Sequence, residues 1–444
     1  MVSVIAIFDI GKTNKKFFLF NEDYKIVEES SKTFTEIEDE DGFPCENLQV
    51  LSKWVRNTLS EYLQDSTYDI KAINFSAYGA SFVHLDRENN IVTPLYNYLK
   101  PYPIEIEKQF YDIHGTKEAI SLTTASPALG NLNSGLQLYA LKYHRPEIFS
   151  RIAASLHLPQ YMSFLISGKH YADITSIGCH TALWDFTTGN YHDWVFKEGI
   201  DKKMPPLFPG TDVIDIVYNN KPLKCGVGLH DSSSAFIPYI KHVNEPFLLI
   251  STGTWCISMN AFNNTPLTQS ELENDCLCYM TYEGATVKSS RLMAGYAHEI
   301  VVKKLSDYFG TELNYFEKIA FDKNLIRKEP PLKDLTSFDV SAYASYEEAY
   351  MNFIKQIVLA QKASTDLVIN NTIKKLFVDG GFAKNEVYMQ LLADAYPHIE
   401  VYAASVSQAS AIGAAMVLHR HWNRFELSNN MINLRRFHAA SAFD

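Results

Sequence analysis

The chain has 444 residues, 46% apolar and 20% charged, with a formal net charge of −11. That length exceeds one ordinary hydrophobic core, so two domains of about 200 residues each are expected. The acidic balance and the lack of a basic tract argue against a nucleic-acid or membrane-surface partner, and no apolar run reaches the ~18 residues of a transmembrane helix.

Met1–Phe8 is apolar, but it has no basic leader and runs straight into Asp9, unlike a signal peptide. Ile5–Phe20 reads as strand, polar turn, strand: Asp9 ends the first apolar run, Gly11, Lys12, Thr13 and Asn14 form the turn, and Phe17, Phe18 and Phe20 begin the return. Gly11-Lys12-Thr13 also fits a permissive P-loop pattern. A P-loop opens into a helix, however, and this phenylalanine-rich exit suits a strand. The turn offers N–H groups, a hydroxyl and ammonium groups to an anion, with Asp9 beside it to hold a metal.

Tyr24–Glu28 is a further strand and Thr33–Cys45 a charged loop. Leu48–Leu63 has helical periodicity, Lys71–Phe75 is a short strand, and Phe82–Leu85 with Ile91–Pro94 is expected to pair as a hairpin. Ser134–Tyr143 and Pro159–Ile166 read as helices, the second stopped by Gly168, and Ala172–Trp194 as either a cleft-lining segment or an irregular surface loop. Cys225–Ala235 runs a strand into a polar turn. There Asp231, followed by three serines, is either a general base for a substrate hydroxyl or a helix N-cap.

Pro246–Ser258 repeats the opening theme, with Thr252, Gly253 and Thr254 forming either a second phosphate turn or a plain hairpin. The recurrence points to two related halves. Ala342–Asn371 reads as one long helix and Lys375–Val378 as a strand. Gly380 and Gly381 then either admit a flat ring to the backbone or make an ordinary strand-to-helix turn. Glu386–Tyr396 and the small-residue stretch Gln408–His419 are helices flanking a short strand, Glu400–Tyr402, and the last twenty residues carry no usable motif. The six scattered cysteines form no zinc or disulfide pattern and read as reduced thiols of a cytoplasmic protein.

Taken in order, the turns resemble those of the FGGY carbohydrate kinases, in the superfamily that also holds actin, hexokinase and the heat-shock chaperone ATPases. Asp9–Lys15 is similar to the first phosphate motif, Gly228–Asp231 to the catalytic-base motif, and Ser251–Thr254 to the second phosphate motif. Asp379–Asn385 with Gln408–Ala415 is similar to the adenosine motif. A softer similarity covers Pro159–Gly168 and Asp173–Ser176.

The resemblance implies an α/β protein of two RNase H-like, actin-like ATPase domains, 1–236 and 237–444, with ATP, Mg²⁺ and sugar in a cleft between them. It implies Asp231 as base and Asp9 as the metal-side carboxylate. Gly11, Lys12, Thr13, Asn14, Lys15, Thr252, Gly253, Thr254, Gly380, Gly381 and Asn385 would bind ATP, and His230, Gly79 and Ala80 the sugar. His230 before the base resembles the L-rhamnulokinase and L-fuculokinase members, so a 6-deoxy-ketose is expected first and pentuloses next. A homodimer is the family-level expectation. Departures are Lys12 in place of a small residue, Gln408 in place of Glu and Gln160 in place of Asp.

The rival readings are a non-catalytic sugar or nucleotide sensor, and an actin-like or chaperone-like ATPase that needs no sugar. A Rossmann oxidoreductase fits poorly: Gly226-Val-Gly228 begins such a pattern, but Asp231 takes the place of its third glycine.

Overall fold

A computed structural model describes residues 1–406, 408–427 and 431–440. The chain forms two compact units. The first comprises Met1–Lys241, Cys278–Thr286 and Ser407–Asn429, and the second His242–Leu277, Val287–Val406 and Asn430–Asp444. The contiguous division expected at residue 236 thus differs from the observed units, because two later segments fold back into the first.

In the first unit, β1 (Val2–Ile10) and β2 (Lys15–Asn21) form the expected antiparallel hairpin, and β3 (Ile26–Lys32) extends it. The third strand starts two residues later than Tyr24, because Tyr24 sits at positive φ in the turn that precedes it. Helix α1 (Leu48–Gln64) is capped by the Asn47 side chain, which accepts from the Val50 N–H at 3.2 Å. Its Leu51, Val55 and Leu59 pack in one core with Val4, Ala6 and Phe8 of β1. Parallel to β1 runs β4 (Tyr68–Ala77).

Helix α2 (Leu158–Ser167) ends where Gly168 turns left-handed at φ 67°. The hairpin of β5 (Ile214–Tyr218) and β6 (Lys221–Cys225) then adds β6 parallel to β4, followed by β7 (Leu229–His230) and α3 (Asp231–His242).

The second unit repeats this plan. Strands β8 (Phe247–Thr252) and β9 (Cys256–Asn260) form a hairpin, and β10 (Cys276–Met280) and β11 (Thr286–Leu292) follow it. After α4 (Ala294–Phe309) and α5 (Tyr346–Asp366), β12 (Lys375–Gly380) lies parallel to β8. Helix α6 (Glu386–Ala395) leads to β13 (Glu400–Ser405), parallel to β12. Helix α7 (Ala409–Met416) belongs to the first unit, and β14 (Asn433–Phe437) pairs with β13.

The order β3-β2-β1-β4-β6 in one sheet matches β11-β9-β8-β12-β13 in the other, with the same pattern of parallel and antiparallel neighbours. The doubling read from the two Gly-Thr turns is therefore a doubling of whole sheets in the RNase H-like order.

Three expectations are corrected. Phe82–Leu85 pairs with Ala154–His157 rather than with 91–94, where a single bridge joins Leu85 and Ile91. The long helix spans Tyr346–Asp366, because Ser345 caps its start through the Glu348 N–H and the preceding residues form a separate 3-10 turn. The motif-free C-terminus supplies β14, although residues 428–430 and 441–444 lie outside the described residues. Among the described residues no helix is long and apolar enough to cross a membrane.

One amide joins three segments of the first unit. Asn74 on β4 donates from Nδ2 to the Ala414 carbonyl of α7 at 2.8 Å, and its Oδ1 accepts from the Gly228 N–H at 3.1 Å. A Cβ on Gly226 would come within 2.3 Å of that side chain. Asn74→Ala leaves a buried carbonyl and a buried N–H unpaired. We expect it to cost about 2–4 kcal/mol in denaturant-melt stability.

A second buried polar group, Asp173, caps the Ile174–Ile177 turn by accepting from the N–H and hydroxyl of Thr175. Burial raises its pKa from 3.8 to about 7. The carboxyl's stabilising contribution is thus complete below pH 3.8 and lost as pH rises through about 7. Asp173→Asn, which keeps the cap and cannot ionise, should gain melting temperature relative to the unsubstituted protein between pH 4 and 8. A pH-independent difference would contradict this reading.

Candidate active site

The first unit places two carboxylates in electrostatic contact. Asp9 ends β1, with Lys16 opposite it on β2 and Ser76 opposite it on β4. Its Oδ2 accepts from the Ser410 hydroxyl at 2.8 Å, so the first residues of α7 reach the β1–β2 hairpin. Burial raises the Asp9 pKa to about 6; the Ser410 bond opposes the rise and the charge of Asp231 adds to it.

Asp231 is the first residue of α3. Its Oδ1 accepts from the Ser232 N–H at 2.6 Å, so the side chain sits at the helix start but bonds the next residue rather than the N2 or N3 N–H of an N-cap. The side chain keeps 35% of its surface open, enough for a small hydroxyl to reach it. The protein packed around the carboxyl raises its pKa to about 6.

Backbone contacts hold the segment that presents it. Gln160 donates to the Gly228 carbonyl at 2.8 Å, Ser163 to the Gly226 carbonyl at 2.7 Å, and the Gly226 N–H to Ile73 at 2.8 Å. Gly228 has φ +84°, and a Cβ there would meet the Pro159 carbonyl oxygen at 2.5 Å. A side-chain N–H at position 160 is what that carbonyl requires, which gives this chain's Gln160 a definite role.

His230 precedes Asp231, with Nε2 3.2 Å from Oδ1. Its ring is buried and its pKa falls to about 4, so the imidazole is neutral. Gly79 lies against it, since a Cβ there would stand 3.0 Å from the ring. Ala80 is buried at φ 59° and its carbonyl accepts from Gln137 at 2.8 Å.

The lysines of the first turn separate into two kinds. Lys12 is paired with Glu36, and Lys15 is buried, ion-paired with Glu46 at 2.7 Å and bonded to the Lys12 carbonyl. Lys15, expected among the ATP contacts, instead braces the turn from inside, because it is buried on the face of β2 that Phe17 and Leu19 pack into the core and is paired there with Glu46. Lys16, which the motif reading passed over, stands opposite Asp9, and its ammonium donates to the neutral Gln408 amide at 3.0 Å. The run Lys-Lys-Phe-Phe-Leu-Phe is apolar on both faces beyond Lys16, so no local pattern separates the two lysines.

The Gly11 N–H closes the turn onto the Asn14 carbonyl at 3.0 Å, and the Gly253 N–H closes its own onto Trp255 at 2.9 Å. Those two N–H groups are therefore not the phosphate donors that were expected. Thr13, Asn14 and Thr254 are exposed on the turns.

In the second unit a cavity of about 770 Å³ is lined by Thr252, Gly253, Gly381, Phe382 and Asn385, joined by Phe316 and His298. The Thr252 hydroxyl donates to the Asp379 carbonyl at 2.6 Å and accepts from the Phe382 N–H at 3.0 Å, so it knits the two turns together. Gly380, at φ +92°, is required by that packing, since its Cβ would fall 1.9 Å from the Thr252 carbonyl oxygen. Gly381 has nothing within 4 Å of its Cβ position and is the glycine that opens the wall. Asn385 caps α6 and donates to the Tyr350 hydroxyl at 2.7 Å, which lies 3.0 Å from His298 Nε2. Phe316 and His298 come from segments without a local motif. Gln408–Ala415, read with the adenosine motif, lies in the first unit beside Asp9 and Asn74.

All six cysteines are buried and none is in a disulfide, and among the described residues no cluster of three or more His, Cys, Asp or Glu could hold a metal.

The model of the N-terminal domain of the FGGY family of carbohydrate kinases matches residues 4–233, and two C-terminal-domain models of that family match residues 244–325 and 332–422. A rhamnulokinase of Oceanobacillus iheyensis is 23% identical over 389 residues, covering 80% of this chain and 79% of that protein. An L-fuculokinase of Haemophilus influenzae is 21% identical over 463 residues, covering 94% of each chain. A carbohydrate kinase from Novosphingobium aromaticivorans superposes with a TM-score of 0.78 at 21% identity, covering 99% of this chain and 94% of that one. The ligand-bound xylulose kinase of Lactobacillus acidophilus gives the same TM-score and coverage at 17% identity. With ordered motifs, duplicated sheets and family models that together span both units, the chain belongs to the FGGY family of carbohydrate kinases.

Proposed function

We propose that the chain transfers the γ-phosphoryl group of ATP to a hydroxyl of a ketose. L-rhamnulose is the first substrate, L-fuculose the next, and the pentuloses xylulose and ribulose the alternative. The observation that carries this reading is the Asp231 carboxyl, open over a third of its surface, poised near pKa 6 and beside a neutral histidine. A carboxylate of that basicity is ionised at neutral pH and still takes a proton from a hydroxyl as its oxygen closes on phosphorus.

His230 and the Gly79–Ala80 loop hold the sugar beside it. The names of the rhamnulokinase and L-fuculokinase relatives favour a 6-deoxy-ketose, and the xylulose kinase among similar structures supports the pentulose alternative. The second unit's cavity takes the adenosine, with Gly381 admitting the base. On this reading the exposed Thr13 and Asn14 of the first turn and Thr254 of the second would donate to phosphate oxygens. Lys16, held by a neutral amide, keeps its charge for the same phosphates.

Asp9 fits a magnesium ion. It is a single carboxylate, steadied by one hydroxyl and repelled by Asp231, of the kind that binds Mg²⁺ together with nucleotide phosphates. When bound, the ion neutralises charge on the phosphates. A cytoplasmic setting and a homodimer belong to the same reading; light scattering checks the second.

The test is ADP release from MgATP with L-rhamnulose, L-fuculose, L- and D-xylulose, L- and D-ribulose, glycerol and no sugar. One ketose should raise the rate at least ~100-fold, and Asp231→Asn should lose on the order of 100- to 10,000-fold of that. Equal ADP release without sugar would instead describe a chaperone-like ATPase, and binding without turnover a sensor. With the best ketose, kcat/KM should fall about tenfold per pH unit below about 6 as Asp231 takes up its proton. A flat acid limb would remove Asp231 as base.

A further inference from the structure

The His230 ring is held by more than its neighbour in the chain. Its Nε2 lies 3.1 Å from the sulfur of Cys179 as well as 3.2 Å from Asp231 Oδ1. Tyr279 stacks on the ring face, with centroids 5.8 Å apart and planes inclined by 19°. Gly79 closes another side, since a Cβ there would be 3.1 Å from Nε2 and 3.2 Å from the Cys179 sulfur. Cys179 is fully buried and follows the turn whose Thr175 hydroxyl accepts the His230 backbone N–H at 3.0 Å. Residues 173–179 thus grip both the backbone and the ring of His230. Nδ1, in a side chain only 5% exposed, has no hydrogen-bond partner among the described residues.

A neutral imidazole carries one N–H, and its neighbours decide where. A proton on Nδ1 would turn the Nε2 lone pair toward the Asp231 carboxylate and leave a buried donor unsatisfied. A proton on Nε2 is shared between two acceptors, the carboxylate oxygen and the thiol sulfur, and leaves Nδ1 as a bare lone pair.

We infer that Cys179 is a positioning residue for substrate recognition: it holds His230 in the Nε2–H tautomer, so that Nδ1 accepts a hydrogen bond from a hydroxyl of the sugar. This rests on the kinase reading and sharpens it. The group placed against Nδ1 must be a hydroxyl, because a keto oxygen, an ether or a deoxy carbon has no proton to donate. Cys179 touches no substrate and acts through the ring.

The experiment pairs steady-state kinetics with ¹⁵N NMR of histidine-labelled protein, the His230 signals being assigned by their loss in His230→Asn. Cys179→Ala should raise the KM for the best ketose about tenfold, with the KM for ATP and the melting temperature little changed. Cys179→Ser, whose oxygen can accept from Nε2–H, should recover most of the loss. A ketose lacking the contacted hydroxyl should lose about 10- to 100-fold in kcat/KM with the unsubstituted enzyme and little more with Cys179→Ala. The spectra should show the Nε2–H form in the unsubstituted protein and in Cys179→Ser, and a tautomer mixture in Cys179→Ala.

An Nδ1–H form in the unsubstituted protein overturns the inference. So does a Cys179→Ala variant with unchanged ketose KM and unchanged tautomer, or a loss that Cys179→Ser does not recover. If no ketose is turned over at all, the kinase reading fails and with it the sugar contact, while the spectra still decide whether Cys179 sets the tautomer. If Cys179→Ala does not fold, the Cys179→Ser spectra and kinetics decide.

Discussion

The Asn74 side chain is the constraint on which the arrangement of the first unit depends. One buried amide satisfies a carbonyl from α7 and an N–H from the loop before α3, and it does so from the strand beside β1. The three segments are far apart in the chain, and each carries part of the proposed site: Ser76 lies on β4 with the Gly79 loop after it, Asp231 follows the Gly226–Gly228 loop, and Ser410 lies on α7. A polar group buried this completely is stabilising only when all its partners are in place, so the three segments form together or not at all. Gly226 and Gly413 lack side chains for the same reason, since a Cβ at either would strike Asn74 or the Ser234 backbone.

Electrostatics at the two carboxylates follows from that packing. Asp9 and Asp231 are brought into each other's field by elements that neither residue belongs to, and burial lifts both to a pKa near 6. In the proposed reaction Asp231 would take the proton of the sugar hydroxyl, and a phosphate-bound cation would draw Asp9 into its ionised form. The lysines around them are sorted by pairing. Lys12 and Lys15 are ion-paired with glutamates, whereas Lys16 bonds the Gln408 amide and lends its charge to Asp9, the carboxylate opposite it on β1.

Much of this was legible in the chain because it is local. Hairpins with a polar turn, a strand ending in a carboxylate and a glycine pair before a helix each write their signal within about a dozen residues. The β1–β2 and β8–β9 hairpins, α1, α2 and α6 formed where apolar runs around polar turns and helical period placed them. What was misread depended on partners at a distance. Phe82–Leu85 looks like half of a hairpin with 91–94 and pairs instead with a strand some 70 residues on, at Ala154–His157. Lys15 looks like a phosphate ligand until the core-facing side of β2 is known.

By itself the sequence determined the order of motifs, the duplicated strand-turn-strand theme and the family resemblance, because these rest on backbone geometry that a few neighbouring residues impose. Only the tertiary structure decided that Gly11 and Gly253 spend their N–H groups closing their own turns, and that α7 serves Asp9. It alone brought Cys179 and Tyr279 to the ring of His230. Those facts turn on which side chains share a buried space, and burial is set by the packing of segments separated by tens to hundreds of residues, to which no local pattern is sensitive.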